Sequence, residues 1–535
     1  MHILTPPYIL ENYAAGCSSG VFPAVGLYVD VTGFTAMTDI LLEHGQHGAE
    51  VMAQVIRQAF APLISAVYEQ GGWVAVHAGD SFTALFPIKE GVIGTAHRAL
   101  TAAWRVQERA SAEANYSTPY GEFYVTVKAG LALGEAQWGV IASQDQRRLV
   151  CYFSGSAVEG CAAAEHLACP GQVVVEMNFW KLVADWASAK EMGTYACIIG
   201  MPVELPISLP VVMPDFDISL AERFIPFDLL TQSYTGEFRQ VVFLFVSLRQ
   251  ALDETGLQRF MQHVFELQDR YGGLLKLLFG DKGAHLLLIW GAPVAYENDL
   301  ERALNFILEL RAGCGIPVTG ALTYRIAHAG FIGSELSEEY AGYGRGVNLA
   351  ARFMIASGDG EIWLDEFAAR KARADFEIDF YGQKAFRGFS QTQPVYLLRR
   401  RKEATEIAYY GELVGRRSEL EKLAEFVQPL LHDQCPGALV VWGDAGMGKS
   451  RLVHEFIVQV RKPAFSGKNE FHTAHLPLVV LAQTDAILRM ALNPFRYWLR
   501  RYFGISDVES AARNRSSFDN RLDDLISRTR DPRLA

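Results

Sequence analysis

Gly272-Gly273-Leu274-Leu275-Lys276-Leu277-Leu278-Phe279-Gly280-Asp281-Lys282-Gly283 lines up without a gap on an earlier stretch, Gly71-Gly72-Trp73-Val74-Ala75-Val76-His77-Ala78-Gly79-Asp80-Ser81-Phe82. In each copy a glycine pair precedes an apolar run that ends in Gly-Asp. In the first copy a second alternating run continues to Phe86, which predicts a hairpin turning through Ala78-Gly79-Asp80. The likeness extends outward. Gln240-Val241-Val242-Phe243-Leu244-Phe245-Val246-Ser247 matches the run ending Tyr28-Val29-Asp30, and Gly344-Arg345-Gly346-Val347-Asn348 matches Gly155-Ser156-Ala157-Val158-Glu159. Self-similarity of this kind predicts two copies of one domain.

The copies differ where chemistry is expected. Gly26-Leu27-Tyr28-Val29-Asp30-Val31-Thr32-Gly33-Phe34-Thr35 reads as a strand that delivers Asp30 at its C-terminal tip. A glycine turn then opens a helix from about Ala36, a geometry whose backbone amides cradle phosphate. Asp30 and Asp80 on adjacent strand tips suit a hard dication such as Mg²⁺. In the second copy Ser247 replaces Asp30. There Gly346-Val347-Asn348-Leu349-Ala350-Ala351-Arg352-Phe353-Met354 reads as an apolar helix with Asn348 and Arg352 on one face, one turn apart. The first copy has Glu159 and Ala163 at those two places. Taken alone, an Asn and an Arg so spaced also suit an arginine that packs its stem on the core. The two halves are complementary, and together they supply one full set.

Composition narrows the classes. The chain has 535 residues, 50% apolar and 20% charged, which predicts about three globular domains. A net charge of −11 argues against a general binder of nucleic acid or anionic membrane, which needs clustered Lys and Arg. The one basic run, Arg399-Arg400-Arg401-Lys402, falls where a solvated linker is expected. Seven cysteines without CxxC spacing suit free thiols in a reducing cytoplasm. The apolar runs, such as Leu286 to Trp290 continuing to Ala295, are too short to span a bilayer, so no membrane span is expected.

Over residues 20 to 400 the paired motifs Val29 to Thr35, Ala78-Gly79-Asp80, Asp281-Lys282-Gly283 and Val347 to Arg352 resemble the class III nucleotidyl cyclases, in particular soluble adenylyl cyclases with tandem catalytic domains. The resemblance implies an α+β fold with two ferredoxin-like catalytic domains as a pseudo-symmetric intramolecular dimer, over 1–205 and 236–400 with a linker at 206–235. It implies cyclisation of ATP to 3′,5′-cyclic AMP at one site between the halves. Asp30, Asp80 and the Val31 backbone would hold two Mg²⁺ or Mn²⁺ ions for an in-line displacement of pyrophosphate. Thr32, Gly33, Phe34 and Thr35 would take the triphosphate. Lys276 would read adenine, Asn348 would orient the ribose, and Arg352 would brace the α-phosphate.

Lys276 is a cation in an apolar run, so it is expected to face an acceptor or water. Ala341 stands where the family has an Asp or Thr that accepts from the adenine amino group, which leaves base selection to Lys276 and backbone atoms. Soluble relatives respond to bicarbonate through a Lys and an Arg in the degenerate second site. The matching positions here are Val76 and Ala162, so no response is expected.

A basic linker at 401–411 leads to a new domain over 412–535, which the chain leaves incomplete; a piece of a longer protein is expected. Gly437 to Trp442 reads as a strand, Gly443-Asp444-Ala445-Gly446-Met447-Gly448-Lys449-Ser450 is a complete P-loop, and Arg451 to Val460 reads as a helix. Gly443, Gly446 and Gly448 shape the loop, Lys449 reaches the terminal phosphates and Ser450 binds Mg²⁺, so Mg-ATP is expected there. The opening Val414-Gly415-Arg416-Arg417 resembles signalling ATPases of the AAA/STAND group, a region suited to protein partners. Leu478 to Asp485 lacks the acidic pair of a Walker B strand. Three functions compete: an adenylyl cyclase with a regulatory NTPase domain, a catalytically weak cyclase pair that senses nucleotide for the ATPase, and an ATP-driven scaffold.

Overall fold

A computed structural model describes residues 3–402 apart from breaks at 90, 203–204, 212–216, 227–228, 231–235, 249–251, 281–282, 297, 374, 388 and 390. Beyond them it describes 413–432, 434–443, 447–460, 495, 498–499, 502–505 and 511–528. The chain forms two compact units, Met1–Glu403 and Ala404–Ala535.

The first unit contains the duplication. Its first half runs β1 (Ser19–Thr32), α1 (Phe34–Leu42), α2 (Gly45–Tyr68), β2 (Trp73–Ala78), β3 (Ser81–Pro87), α3 (Val92–Ala112), the small hairpin β4 (Asn115–Thr118) and β5 (Gly121–Tyr124), β6 (Thr126–Ala142), β7 (Leu149–Ser154), α4 (Ser156–Glu165), β8 (Val173–Glu176), β9 (Ser188–Met192) and β10 (Tyr195–Gly200). The second half runs β11 (Glu237–Leu248), α5 (Glu254–Tyr271), β12 (Leu274–Gly280), β13 (Gly283–Trp290), α6 (Asp299–Gly313), β14 (Thr319–Ser334), β15 (Ser337–Tyr343), α7 (Arg345–Ala356), β16 (Ile362–Leu364), β17 (Phe376–Lys384) and β18 (Gln393–Arg401). The sheets share one strand order, β2-β3-β1-β6-β8-β10-β9 with β7 on β6, and β12-β13-β11-β14-β16-β18-β17 with β15 on β14.

Register ties the halves residue to residue. Ala129 lies beside Val173 as Gly320 lies beside Ile362. Helices α4 and α7 both start after a positive-φ glycine, Gly155 and Gly344. Counting back from these anchors, Asp30 opposite Lys128 occupies the place of Ser247 opposite Thr319. The gap-free hairpin match fails twice, at a bulge at Ala75 in β2 and again at the tip. Residues 79–80 alone separate paired Ala78 and Ser81, whereas 279–284 separate their equivalents Leu278 and His285. The second hairpin is therefore longer, a difference that the Gly-Asp in both tips conceals in the sequence. Lys276 opposite Leu287 then corresponds to Val76 opposite Thr83.

The cores form because the inward face of each central strand is apolar. Val25, Leu27, Val29 and Val31 of β1 meet Ile56, Phe60 and Ile64 of α2, and Val242, Leu244 and Val246 of β11 meet Phe260, Val264 and Phe265 of α5. Helix α2 is the one described helix long and apolar enough to cross a membrane by length and composition, and it is spent on this core. The halves also pack on each other. Ile332, Ala341 and Tyr343 join the first half's core, Ile141 joins the second half's, and buried His77 and His328 bridge to Ser337 (2.9 Å) and the Ala49 carbonyl (3.2 Å).

Two expectations change. Arg399, Arg400 and Arg401 end strand β18 rather than forming a linker, and each pairs with a carboxylate at 2.7 Å, Asp379, Glu377 and Glu301. In the second unit, residues 437–442 form no strand. An extended run becomes one only through a hydrogen-bonded neighbour, none of the described residues supplies it, and Val440 and Trp442 are exposed. That unit contains α8 (Arg417–Val427), α9 (Lys449–Val460) and α10 (Ala511–Arg528). The segment tested for a Walker B strand lies outside the described residues.

Candidate active site between the two halves

A cavity of about 210 Å³ opens where the halves meet. The first half lends Phe34, His77 and Asp80, and the second lends Lys276, Ala341 and Asn348. Residues drawn from opposite ends of the first unit thus converge on one space, as their complementary distribution in the sequence predicts.

The Asp80 turn is fixed from both sides. Its carbonyl accepts from the Val31 amide at 2.9 Å, and the Tyr343 hydroxyl of the other half donates to the Gly79 carbonyl at 2.5 Å. Burial, then the charge of Asp30, push the Asp80 carboxyl up to about 7. Burial also raises Asp30, opposed by Lys128 and reinforced by Glu165. Two carboxylates raised by burial, one of them also by the charge of the other, need positive charge nearby. They fit a Mg²⁺-type ion, which uses one or two carboxylates and completes its shell with substrate phosphates and water. Among the described residues no group of three or more His, Cys, Asp or Glu is gathered to hold a metal by itself.

Two partners escaped the sequence reading. The Lys128 ammonium stands 3.1 Å from Asp30 Oδ2 and also touches Glu165. The equivalents of Asp30, Lys128 and Glu165 in the second half are Ser247, Thr319 and Met354, so three charges are present together or absent together. Comparing the repeats pair by pair would have flagged them. The second is Glu339 on β15, whose carboxylate contacts the Lys276 ammonium. Burial lowers Lys276 from the ordinary lysine range, and this contact favours its charged form. Lys276 meets the expected acceptor.

Gly33 has φ of 120° and caps α1, and a Cβ there would lie 2.4 Å from the Tyr124 carbonyl oxygen, so only glycine fits the turn. Thr32 Oγ1 is engaged with Thr126 Oγ1 at 2.6 Å. Phe34 is buried and stacks on Phe60, so it anchors the loop as a core residue while bordering the cavity. Helix α1 starts at Phe34, earlier than expected, which brings Thr35 into its first turn. Arg352 does not line the cavity itself. It is half-buried, its guanidinium carbon lies 5.4 Å from the centre of the Phe389 ring, and its Nη1 is buried without a hydrogen-bond partner. Burial and then Arg387 lower its pKa, and Asp80 opposes them.

In the second unit α9 begins at Lys449, whose ammonium donates to the Gly443 carbonyl at 3.0 Å, and Gly448 has φ of 83°. Gly446 lies outside the described residues, as does the Ser450 side chain.

Residues 412–534 match the AAA ATPase domain family. The chain thus carries two similar α+β domains with the fold of cyclase catalytic domains, followed by an AAA-type domain. It is homologous to adenylate cyclase type 10: the mouse protein is 21% identical over 96% of this chain and the human protein 22% identical over 81%. The chain spans about a third of those relatives' length, 35% and 30%. Solved structures similar to it include a class III adenylyl cyclase-like ATP-binding protein from Pseudomonas aeruginosa (TM-score 0.44, 10% identity, 66% of this chain and 85% of that one). Another is a guanylate cyclase domain from Catenaria anguillulae in complex with GTP (TM-score 0.27, 20% identity, 31% and 100%).

Proposed function

We propose that the chain is an adenylyl cyclase that converts ATP to 3′,5′-cyclic AMP and pyrophosphate at the cavity between its halves, with the AAA-type domain as an ATP-binding regulator in the cytoplasm. The observation that carries this reading is that Asp80 from one half and Lys276 and Asn348 from the other line one space, with Asp30 and Arg352 within electrostatic reach of Asp80. Asp30, Asp80 and the Val31 carbonyl would hold Mg²⁺ or Mn²⁺, which supplies charge neutralisation for the triphosphate and a more acidic ribose hydroxyl.

The chain's own residues do the rest. The amides of the Gly33 turn and the first turn of α1 bind phosphate oxygens at a helix N-terminus. Asn348 holds the ribose so that its 3′-hydroxyl faces the α-phosphorus, a matter of orientation rather than bond-making. Arg352 offers a planar fork of donors to the charge that grows on the transferring phosphorus, and its unpartnered Nη1 is ready for that load. Lys276 donates to the base.

A second reading, a nucleotide sensor with little turnover, draws on Ala341 and on the Lys128 cation already paired with Asp30. The test is product analysis. The full chain incubated with ATP and Mn²⁺ should release cyclic AMP and pyrophosphate, and Asp80→Ala should not. Binding without either product would favour the sensor.

A further inference from the structure

We infer that Glu339 is the specificity-determining acceptor of the base pocket, taking the place that Ala341 leaves empty. This rests on the proposed reading of the cavity as a purine nucleotide site. Glu339 and Ala341 are two apart on β15, so their side chains project from the same face of the strand. One Glu339 oxygen contacts Lys276. The other, Oε2, is buried and has no hydrogen-bond partner. A buried carboxylate oxygen left unmatched is expensive, and a donor arriving with a ligand would relieve it.

The pocket geometry brings such a donor close. A second cavity of about 140 Å³, lined in part by Glu339, adjoins the first, and the two share His77, Lys276 and Leu278. Lys276 therefore borders both cavities, with its ammonium in contact with Glu339. A base whose edge meets Lys276 meets Glu339 beside it. His77 also borders both cavities; its Nε2 is engaged with Ser337 and its Nδ1 is buried without a hydrogen-bond partner, so the Glu339→Ala variant, which leaves His77 in place, is what tells the two acceptors apart.

Lysine can only donate and carboxylate can only accept, so the pair reads an edge with an acceptor next to a donor. Adenine presents N1 beside its 6-amino group. Guanine presents O6 beside N1–H, so the same pair discriminates weakly against it. Glu339 is thus the residue that recognises the exocyclic amino group of ATP, while Lys276 recognises N1.

The experiment is a binding cycle on the full chain carrying Lys449→Ala, which removes the P-loop as a competing site. ATP and purine riboside 5′-triphosphate, which lacks the 6-amino group, are titrated by calorimetry with Ca²⁺ present. The parent should bind ATP roughly tenfold tighter, in line with a hydrogen bond to a charged group. Glu339→Ala should bring that ratio to about one by weakening ATP alone, and adding Ala341→Asp should restore it. If Glu339→Ala weakens both ligands equally, or if Glu339→Gln and Glu339→Ala both keep the parent ratio, Glu339 only positions Lys276 and the inference fails. If neither triphosphate binds the parent, the nucleotide reading of the cavity fails first, a separate result.

Discussion

Replacing Arg352 with alanine separates catalysis from folding because of how the residue is held. Its Nη1 makes no hydrogen bond, so truncation strands no buried partner there, and the loss to stability is the contact over Phe389. A cation over a ring contributes about 0.5–2 kcal/mol. If the fork meets charge that develops only in the transition state, losing it raises the barrier by about 3–4 kcal/mol, a few hundredfold or more in rate. The expected outcome for Arg352→Ala is a melting temperature within a few degrees of the parent and cyclic AMP formation, at saturating Mn-ATP, reduced at least a hundredfold. Arg352→Lys keeps the charge but not the bidentate geometry, so it should recover only part of the rate. More than about a tenth of the parent rate in Arg352→Ala would refute the assignment, because a group braced on the reacting phosphorus cannot be so dispensable.

Other expectations follow from the unequal halves and their interface. Asp30→Ala and Asp80→Ala should each abolish product formation, whereas Ser247→Ala should leave the rate within about twofold, because a serine at that place carries no charge to hold a metal; a comparable loss in all three would mean that the pseudo-equivalent site is also used. Bicarbonate titrated at fixed pH and ionic strength should leave the rate flat, since Val76 occupies the place of Lys276, Ala162 is uncharged, and burial pushes His77 down to about 3. A saturable rise at millimolar bicarbonate, absent with chloride, would reveal another cation. His77 and His328 are held neutral by burial at about 3 and about 4, against 6.5 unfolded. The unfolded chain therefore binds protons that the folded chain refuses, and stability is lost as pH falls below 6.5, by about 1.4 kcal/mol per pH unit for each histidine. Denaturant unfolding at pH 7.5 and 5.5 should show a shallower slope in His77→Gln, and an unchanged slope would remove that histidine from the account.

The duplication was legible because strands, glycine turns and helix caps recur at matched places, and Asp30, Asn348 and Arg352 stand out by their absence from the opposite copy. Cross-strand partners were not legible. Lys128 becomes a neighbour of Asp30 only through β1–β6 register, and Glu339 meets Lys276 only once β12 and β15 are packed together. The hairpin alignment slipped because apolar strand residues carry little positional information, and two Gly-Asp tips of different length look alike. The arginines of β18 read as a linker because charge runs are usually solvated, whereas here an edge of the sheet alternates them against carboxylates.

The central claim is that one nucleotide site is assembled from two unequal halves, and locating metal and nucleotide in crystals tests it most directly. Crystals of the full chain grown with Mn²⁺ and a non-cyclisable ATP analogue, measured for manganese anomalous scattering, should show metal between Asp30 and Asp80. The base should lie against Lys276, and neither metal nor nucleotide should appear beside Ser247. Manganese or nucleotide at the Ser247 side, or an empty Asp30–Asp80 cleft with nucleotide bound only at the P-loop, would contradict the account.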